Sequence, residues 1–354
     1  MGVLIAQYGE GEVDKSCPEV IFAQVTVCRL WAVETVRDLL FFSRAQGYKC
    51  DMQEMNTATE SRRVDHDGAS EMRPPAYRLL RPLVGRSGVI VCCPHSGRFY
   101  PDDLLRSSKL DRLALRRSED AFVDELMAAS PELGASLLLA DFARAYVDLN
   151  RSPDELDPDL ILDLPAGDRR VPSPRVLAGL GVVPRTVGDG VEIYASRVSY
   201  AAAHARLKEV YEPWHAAIEG LIETEKQAVG QSVVLDCHSM PASASGLPEN
   251  DIVLGDRFGA SCAPIYMAEA FTFLRSKGLR VARNNPYAGG YATERYGRPA
   301  HNQHSLQIEI NRSLYMVEGA MSKRSSFAHV AEILSGLVAR IVEIAEAKAP
   351  RRSR

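Results

Sequence analysis

The sequence has no long apolar run. Nothing in it approaches the roughly 20 consecutive apolar residues that a helix needs to cross a bilayer. The first residues, MGVLIAQYGEGEVDKS, also lack the basic segment and the sustained apolar stretch of a secretory signal peptide. We therefore expect a soluble, cytoplasmic protein with no membrane partner.

Excess positive charge is also missing. The formal net charge of the 354 residues is −4, with 42 Lys and Arg against 46 Asp and Glu. Phosphate backbones and anionic membranes both select clustered positive charge, so we expect no nucleic-acid partner. A small-molecule ligand is favoured instead, bound by a monomer or a small homo-oligomer.

Paired cysteines and two common catalytic motifs are absent. The seven cysteines form no CxxC pair, which argues against a disulfide framework and against a cysteine-based zinc knuckle. Cys92, Cys93 and Cys237 lie inside apolar runs and are predicted to be core residues. The stretch CHSMPASASG lacks the GxSxG elbow of a nucleophilic serine, and NNPYAGGYATERYGRP does not match a phosphate-binding glycine loop.

From Ala76 onward, short apolar runs alternate with longer segments of helical period, which is typical of an α/β domain. Several strands are apolar at nearly every position, so the sheet should be covered on both faces. The predicted strands are 87–93, 135–140, 143–149, 232–237, 278–284 and 305–311, and the predicted helices are 118–130, about 196–229 and about 325–347. The more polar residues 1–72 are predicted to form an N-terminal extension, poorly ordered or peripheral, before one domain over 73–354.

Polar residues follow four of the predicted strands. They are His95 with Ser96, Asp148 with Asn150 and Arg151, Asp236 with His238 and Ser239, and Glu309 with Arg312. Ligands of open α/β sheets bind at the carboxyl ends of the strands, so these residues are candidates for a site. For a single histidine, a hydrogen-bonding cap of the strand is the better explanation. Two histidines in matched positions favour a metal, since catalytic zinc takes three protein ligands and a water.

Strand alternation bears on two further candidates. Cys237 and His238 are neighbours on one predicted strand, so their side chains point to opposite faces and cannot easily share a proton. Glu309 shares its face with Gln307 and Asn311, whereas aliphatic residues take the other face. If the polar face looks into a cleft, Glu309 is placed like a general base; a solvated outer face explains the alternation equally well.

Arginines are numerous around these strand ends: Arg144, Arg151, Arg257, Arg295, Arg298 and Arg312. A guanidinium group binds a carboxylate through two parallel hydrogen bonds, so several of them near one cleft suit a substrate with one or two carboxylates. A surface salt bridge is the alternative for each. Gly289 and Gly290 predict a loop whose backbone can approach a ligand closely.

Taken together, several motifs resemble the N-formylglutamate amidohydrolase family, also called N-formylglutamate deformylase. They are CPHSGRFYP, ARAYVDLNRSPDE, DCHSMP, LGDRFGASC and NNPYAGGYATERYGRPAHNQHSLQIEINRSLYM, in that order. The resemblance implies a three-layer, phosphorylase/hydrolase-like α/β fold with a mostly parallel or mixed central sheet, related to zinc carboxypeptidases and aspartoacylases. It makes 73–354 the catalytic domain, whereas residues 1–72 have no counterpart.

The activity that the resemblance implies is hydrolysis of N-formyl-L-glutamate to formate and L-glutamate, the closing step of one route of histidine degradation. His95 and His238 look like ligands of one divalent metal ion, with zinc as the first expectation. Glu309 looks like the base that activates a metal-bound water, and Arg144 lies about where the relatives keep an arginine for the developing oxyanion.

The resemblance also implies contacts with the substrate and a third metal ligand. Asn150 and Arg151 are similar to the Asn-Arg pair that grips the substrate carboxylate in the relatives, and Arg257 and Arg312 are further candidates for this role. The relatives place a glutamate ligand three residues after their first histidine, where this chain has the sequence SGR. We therefore expect Asp120 as the third ligand, and two nearby acids, Glu119 and Asp124, remain alternatives.

Two other functions stay open at this stage. The same apparatus could act on another N-acyl amino acid or a peptide-type amide, which would differ only in the pocket for the acyl group. A metal-free binding protein for acidic metabolites could keep the arginines without catalysis. This second alternative predicts that the protein holds no stoichiometric metal.

Overall fold

The structure, a computed structural model, describes residues 73–348 except 84, 169 and 245–248. The predicted extension over 1–72 lies outside these residues. The strands are β1 (Tyr77–Leu80), β2 (Val89–Cys93), β3 (Ser136–Ala140), β4 (Ile161–Leu162), β5 (Val198–Ser199), β6 (Ser232–Met240), β7 (Ile252–Gly255), β8 (Val281–Arg283), β9 (Gln303–Asn311), β10 (Met316–Val317) and β11 (Ser322–Lys323).

A mixed sheet of seven strands lies at the centre, in the order β1-β3-β2-β6-β9-β7-β8. The four inner strands β3, β2, β6 and β9 are parallel to one another. Strand β1 pairs antiparallel with β3, and β7 pairs antiparallel with β9. This confirms the expected α/β class with a mostly parallel or mixed sheet.

The helices connect the strands and cover both faces of the sheet. They are α1 (Asp102–Ser107), α2 (Arg112–Leu115), α3 (Val123–Leu126), α4 (Pro174–Leu177), α5 (Tyr200–Arg206), α6 (Glu212–Val229), α7 (Pro264–Ser276), α8 (Tyr291–Tyr296) and α9 (Phe327–Lys348). A π-helical turn, Leu207–Tyr211, joins α5 to α6. No helix in the described part of the chain is long and apolar enough to span a bilayer.

Two hydrophobic cores lie on opposite faces of the sheet. On one face, Leu235 and Ile308 pack with Leu337 of α9, and on the other face Val234 packs with Trp214 of α6. Alternate residues of β6 therefore enter different cores, as the period of two in a strand requires. The prediction of a sheet covered on both faces is confirmed, and Cys92, Cys93 and Cys237 are buried core residues as expected.

Two predicted elements were wrong. The run 143–149 is a buried loop with turns, and Asp148 donates its backbone N–H to the carbonyl of Val182 rather than to a strand. Its apolar residues fill the second core, so burial rather than strand pairing explains them. The predicted helix 118–130 shrinks to α3, because Phe122 adopts a left-handed φ of 66° that ends any helix before it.

The other predicted elements shift at their ends. The long helix predicted over 196–229 begins at Tyr200, where the Ser199 hydroxyl accepts the backbone N–H of Ala202, and contains the π-helical turn. Strands β1 and β7 were not predicted. Both are only four residues long, too short to show a clear period.

Candidate active site

The candidate site lies at the carboxyl ends of β2, β6 and β9, which are parallel neighbours. In the register of β6 and β9, His238 stands beside Glu309 and Asp236 beside Gln307. These four side chains leave the sheet on the face opposite to that of Cys237 and Ile308. The polar face of β9 therefore looks into the site, which decides between the two explanations of its alternation.

Two segments outside the strands complete the site. His95 lies two residues after the end of β2, and its carbonyl accepts the backbone N–H of Asp120 at 2.9 Å. The Ser96 hydroxyl donates to the carbonyl of Asp120 at 3.0 Å. These bonds fix the Asp120 segment against the end of β2, although 25 residues separate His95 from Asp120 along the chain.

Three potential metal ligands converge on one point. The Nδ1 atoms of His95 and His238 are 3.1 Å apart, and they lie 3.2 Å and 3.0 Å from Oδ2 of Asp120. All three residues are buried. Ligands about 2.0–2.1 Å from a tetrahedral zinc ion lie about 3.3 Å from one another, so the spacing fits such an ion.

The other ring nitrogen of each histidine faces a second carboxylate. His95 Nε2 lies 2.7 Å from Oδ1 of Asp148, and His238 Nε2 lies 2.9 Å from Oδ2 of Asp236. A carboxylate only accepts hydrogen bonds, so in the tautomers whose Nε2 atoms donate to Asp148 and Asp236 both Nδ1 atoms can offer a lone pair to a cation. Two lone pairs and a carboxylate oxygen that face one another can hold a cation between them.

The charges around His238 support the same conclusion. Burial disfavours a charged imidazole, but the carboxylates of Asp236 and Asp120 outweigh it and raise the pKa of His238 well above its usual value. Burial would raise the pKa of Asp120, yet hydrogen bonds from His238 and His95 hold it well below its usual range. The raised pKa of His238 shows that the surrounding carboxylates favour a positive charge at this point, which a divalent cation could supply.

Asp120 is held by more than the two histidines. Its Oδ1 accepts hydrogen bonds from the Ser239 hydroxyl at 3.2 Å and from Nη2 of Arg312 at 3.4 Å. Arg312 also donates from Nη2 to the carbonyl of Glu119 at 2.6 Å. One carboxylate oxygen is thus anchored by donors, and the other faces the histidines.

The two alternative third ligands are engaged elsewhere. The carboxylate of Glu119 accepts the Tyr100 hydroxyl at 2.6 Å and a hydrogen bond from Arg116. Asp124 pairs with Arg98 at 2.9 Å. Of the three acids, Asp120 is the one that the described structure brings to both histidines.

Asp148 links His95 to two arginines. Arg144 Nε donates to Oδ2 of Asp148 at 3.0 Å, and Arg151 Nη2 lies 3.8 Å from the same oxygen. Burial would raise the pKa of Asp148, but the two guanidinium groups and His95 hold it well below its usual range. Among the described residues, neither Nη group of Arg144 has a hydrogen-bond partner, and the side chain is 23% exposed. Arg144 can therefore still bind an anion.

Asn150 and Arg151 are both bound to the protein. Asn150 donates from Nδ2 to Asp236 at 3.2 Å and accepts the backbone N–H of Ala292 at 2.7 Å. Arg151 donates to the carbonyls of Leu180 and Asn150 at 2.9 and 2.8 Å. The pair lies at the site as predicted, and its contact with a substrate stays a prediction.

Glu309 is buried beside the histidine pair. Burial raises the pKa of Glu309 and the nearby His238 lowers it, with a net rise to about 7 from 4.5. Its Oε1 accepts a hydrogen bond from Nε2 of Gln307 at 2.7 Å. A carboxyl group with a pKa near neutrality is suited to accept and return a proton.

The other candidate arginines, Arg257, Arg295 and Arg298, have no hydrogen bond or ion pair with this histidine pair in the described structure. Arg257 pairs with the exposed Glu294 at 2.8 Å, and its backbone N–H donates to the carbonyl of Ala288, next to the Gly289–Gly290 loop. Arg295 pairs with Glu219 at 2.6 Å, which is the surface salt bridge that was the alternative for it. Arg298 is exposed.

The sequence did not assign roles to the residues that orient the histidines. Asp236 precedes His238 by two positions on β6, so a shared strand face was a sufficient signal for it. Asp148 lies in the loop that was predicted as a strand, and its contact with His95 spans 53 residues. Only the fold shows that contact.

A mixed α/β fold with a buried group of two histidines and an aspartate at the carboxyl ends of its parallel strands has the features of an enzyme. The sequence profile of the N-formylglutamate amidohydrolase family matches residues 87–316, which is more than half of the chain. The chain belongs to this family.

Individual relatives agree. The crystal structure of an N-formylglutamate amidohydrolase from Ralstonia eutropha JMP134 is 36% identical and covers 77% of this chain and 98% of its own, with a TM-score of 0.73. An N-formylglutamate deformylase from Pseudomonas aeruginosa is 28% identical over 74% of this chain and 92% of its own length. The deformylase from Pseudomonas putida is 27% identical over 66% and 84%.

Proposed function

We propose that the protein hydrolyses the amide bond of N-formyl-L-glutamate to formate and L-glutamate, or that of a close N-acyl amino acid to the corresponding acid and amino acid. The observation that carries the proposal is the convergence of His95, His238 and Asp120 beside Glu309, in a member of this family. The names of the relatives from Ralstonia and Pseudomonas support the choice of substrate. An enzyme in the cytoplasm, with a carboxypeptidase-like arrangement of the site, is part of the proposal.

His95, Asp120 and His238 would hold one divalent metal ion, and zinc suits two imidazoles and a carboxylate. When bound, such an ion supplies Lewis acidity, which lowers the pKa of a bound water toward about 7 and polarises a carbonyl. Asp148 and Asp236 keep the imidazole tautomers ready for it. Second-sphere carboxylates of this kind also raise the basicity of the ligands.

The chain's own residues would perform the proton transfers. Glu309 would accept a proton from the attacking water and return it to the departing amine nitrogen. Arg144 would donate from its unpartnered Nη groups to the oxygen of the formyl carbonyl as negative charge develops there. Asn150, Arg151, Arg257 and Arg312 would hold the glutamate carboxylates, directly or through the segments that they fix.

The test is formate release from N-formyl-L-glutamate together with metal analysis of the purified protein. About one metal per chain and formate release support the proposal. Metal without formate points to another N-acyl amino acid, to be tried next with acetyl and succinyl donors. A protein that stays metal-free and inactive after reconstitution with zinc would contradict the proposal and favour a binding protein for acidic metabolites.

Gly290→Ala should lower formate release by about 10- to 100-fold, because positioning errors of about 1 Å can cost that much. A Cβ atom at Gly290 would lie 2.5 Å from Nδ2 and 2.8 Å from Cγ of Asn150, so Asn150 must move away from Asp236. The matched control is Gly220→Ala on the exposed face of α6, where a Cβ atom meets nothing within 4 Å. Equal activity in both variants would show that the position of Asn150 is unimportant.

A further inference from the structure

We infer that Gln307 is a positioning residue that fixes the carboxylate of Glu309 and selects the oxygen that exchanges protons. The inference rests on the proposed function, in which Glu309 is the base. Gln307 Nε2 donates to Oε1 of Glu309 at 2.7 Å, and Gln307 Oε1 accepts the backbone N–H of Gly290 at 2.6 Å. Both residues lie on β9, two positions apart and on the same face.

The direction of the Gln307 amide is determined by chemistry. A side-chain amide can turn by 180°, which exchanges its donor and its acceptor. The backbone N–H of Gly290 can only donate, so it must meet the amide oxygen, and the amide nitrogen must then face Glu309. Gln307 is 4% exposed, so water can hardly compete for either bond. Glu309 thus receives a fixed donor on one oxygen.

This leaves the two oxygens of Glu309 in different positions. Oε1 is occupied by Gln307, whereas Oε2 has no hydrogen-bond partner among the residues that the structure describes. The proton acceptor in the reaction is therefore Oε2. A carboxylate held by one oxygen can rotate only about that bond, so Gln307 limits the directions from which Glu309 can meet water or the departing amine.

Gln307 also joins the base to the opposite side of the site. The Gly290 segment continues into α8, where the backbone N–H of Ala292 donates to Oδ1 of Asn150 at 2.7 Å. Asn150 in turn donates to Asp236, the carboxylate that orients His238. One chain of hydrogen bonds thus sets the position of the base relative to a metal-ligand candidate.

The experiment compares Gln307→Leu with the wild type in formate release, at saturating and limiting N-formyl-L-glutamate. We expect kcat to fall about 10- to 100-fold, the range found when supporting residues of a site are removed. KM should change less than about threefold, and the metal content should stay at the wild-type level. Gln307→Glu keeps an acceptor for Gly290 but places a like charge against Glu309, so it should lose at least as much.

The matched control is Gln231→Leu. Gln231 is another buried amide, which accepts the Tyr266 hydroxyl and donates to the carbonyl of Ala345, and so bridges two groups in the other core layer. Its loss should lower the melting temperature and leave kcat unchanged. A kcat that falls equally in both variants would assign Gln307 a merely structural role.

A second readout does not depend on activity. In the metal-free protein, Gln307→Leu should lower the melting temperature more in the wild-type background than in the Glu309→Leu background. In the wild-type background the substitution leaves the buried Glu309 carboxylate without its donor, whereas Glu309→Leu has no carboxylate to lose it. Equal losses in the two backgrounds, or wild-type kcat in Gln307→Leu, overturn the inference while the proposed function stands. A wild type that hydrolyses neither N-formyl-L-glutamate nor the acetyl and succinyl donors overturns the proposed function, and the inference falls with it.

Discussion

His238→Ala is expected to lose the bound metal and to lower kcat/KM for N-formyl-L-glutamate by at least about 10³-fold, which corresponds to about 4 kcal/mol of transition-state stabilisation. His238 Nδ1 lies within 3.1 Å of both other ligand candidates, so its removal opens one side of the group. Two ligands hold a divalent ion far less well than three. Metal analysis and formate release, measured on the same preparation, check both losses.

Two further variants separate ligation from other effects of the substitution. Asp236→Asn keeps the shape of the residue that orients His238 but weakens the orientation, so metal affinity should fall only about 10- to 100-fold. His215→Asn removes another buried histidine, which contacts Tyr296 and Tyr211 and is not one of the three candidate ligands. It should cost stability but no metal. Full metal content in His238→Ala would show that the ion binds elsewhere.

Much of the fold follows from the sequence because the inner strands are buried on both faces. Runs such as VIVCC in β2 and SVVLDCHSM in β6 are continuous enough to locate without other information. The same signal failed at 143–149, because a buried loop in a core is as apolar as a buried strand. An apolar run indicates that a segment is buried. It does not show whether another strand lies beside that segment to pair with it.

The site shows the same division between local and distant information. His95, His238 and Glu309 end apolar runs, and strand period together with topology predicts that they meet. Asp120 follows no strand and reaches the site through the turn at Phe122 and bonds to His95 and Ser96. That position depends on tertiary packing, so the sequence left three acids as candidates. The resemblance to a family suggested Asp120, and the geometry favours it.

Glu309→Gln should separate the chemistry of the site from its stability. We expect kcat to fall by about 10²- to 10⁴-fold, the usual contribution of a general base, with the metal content and KM nearly unchanged. Gln cannot accept the proton of the attacking water. It does fill the same space beside Gln307, so the site should keep its shape. The kinetic measurement is formate release at saturating substrate, on protein with verified metal content.

The same substitution should stabilise the metal-free protein at high pH. Burial raises the pKa of Glu309 to about 7 in the folded protein, against 4.5 for an exposed glutamate. The folded state therefore binds the proton more tightly than the unfolded state. The stability that this tighter proton binding contributes is fully present below about pH 4.5 and is lost as the pH rises through about 7. Above that range the buried charge costs up to about 3 kcal/mol, which Glu309→Gln avoids.

Melting temperatures of metal-free wild type and Glu309→Gln at pH 5 and pH 8 test this. The two should be close at pH 5, and the variant should melt higher at pH 8. Glu225→Gln is the matched control, since Glu225 is also buried but accepts hydrogen bonds from Arg86 and the backbone N–H of Gly88. It should melt lower and keep kcat. A base that lowers the stability of its own fold is placed there by its reaction, whereas a Glu309→Gln variant that is both active and less stable would make Glu309 a structural residue.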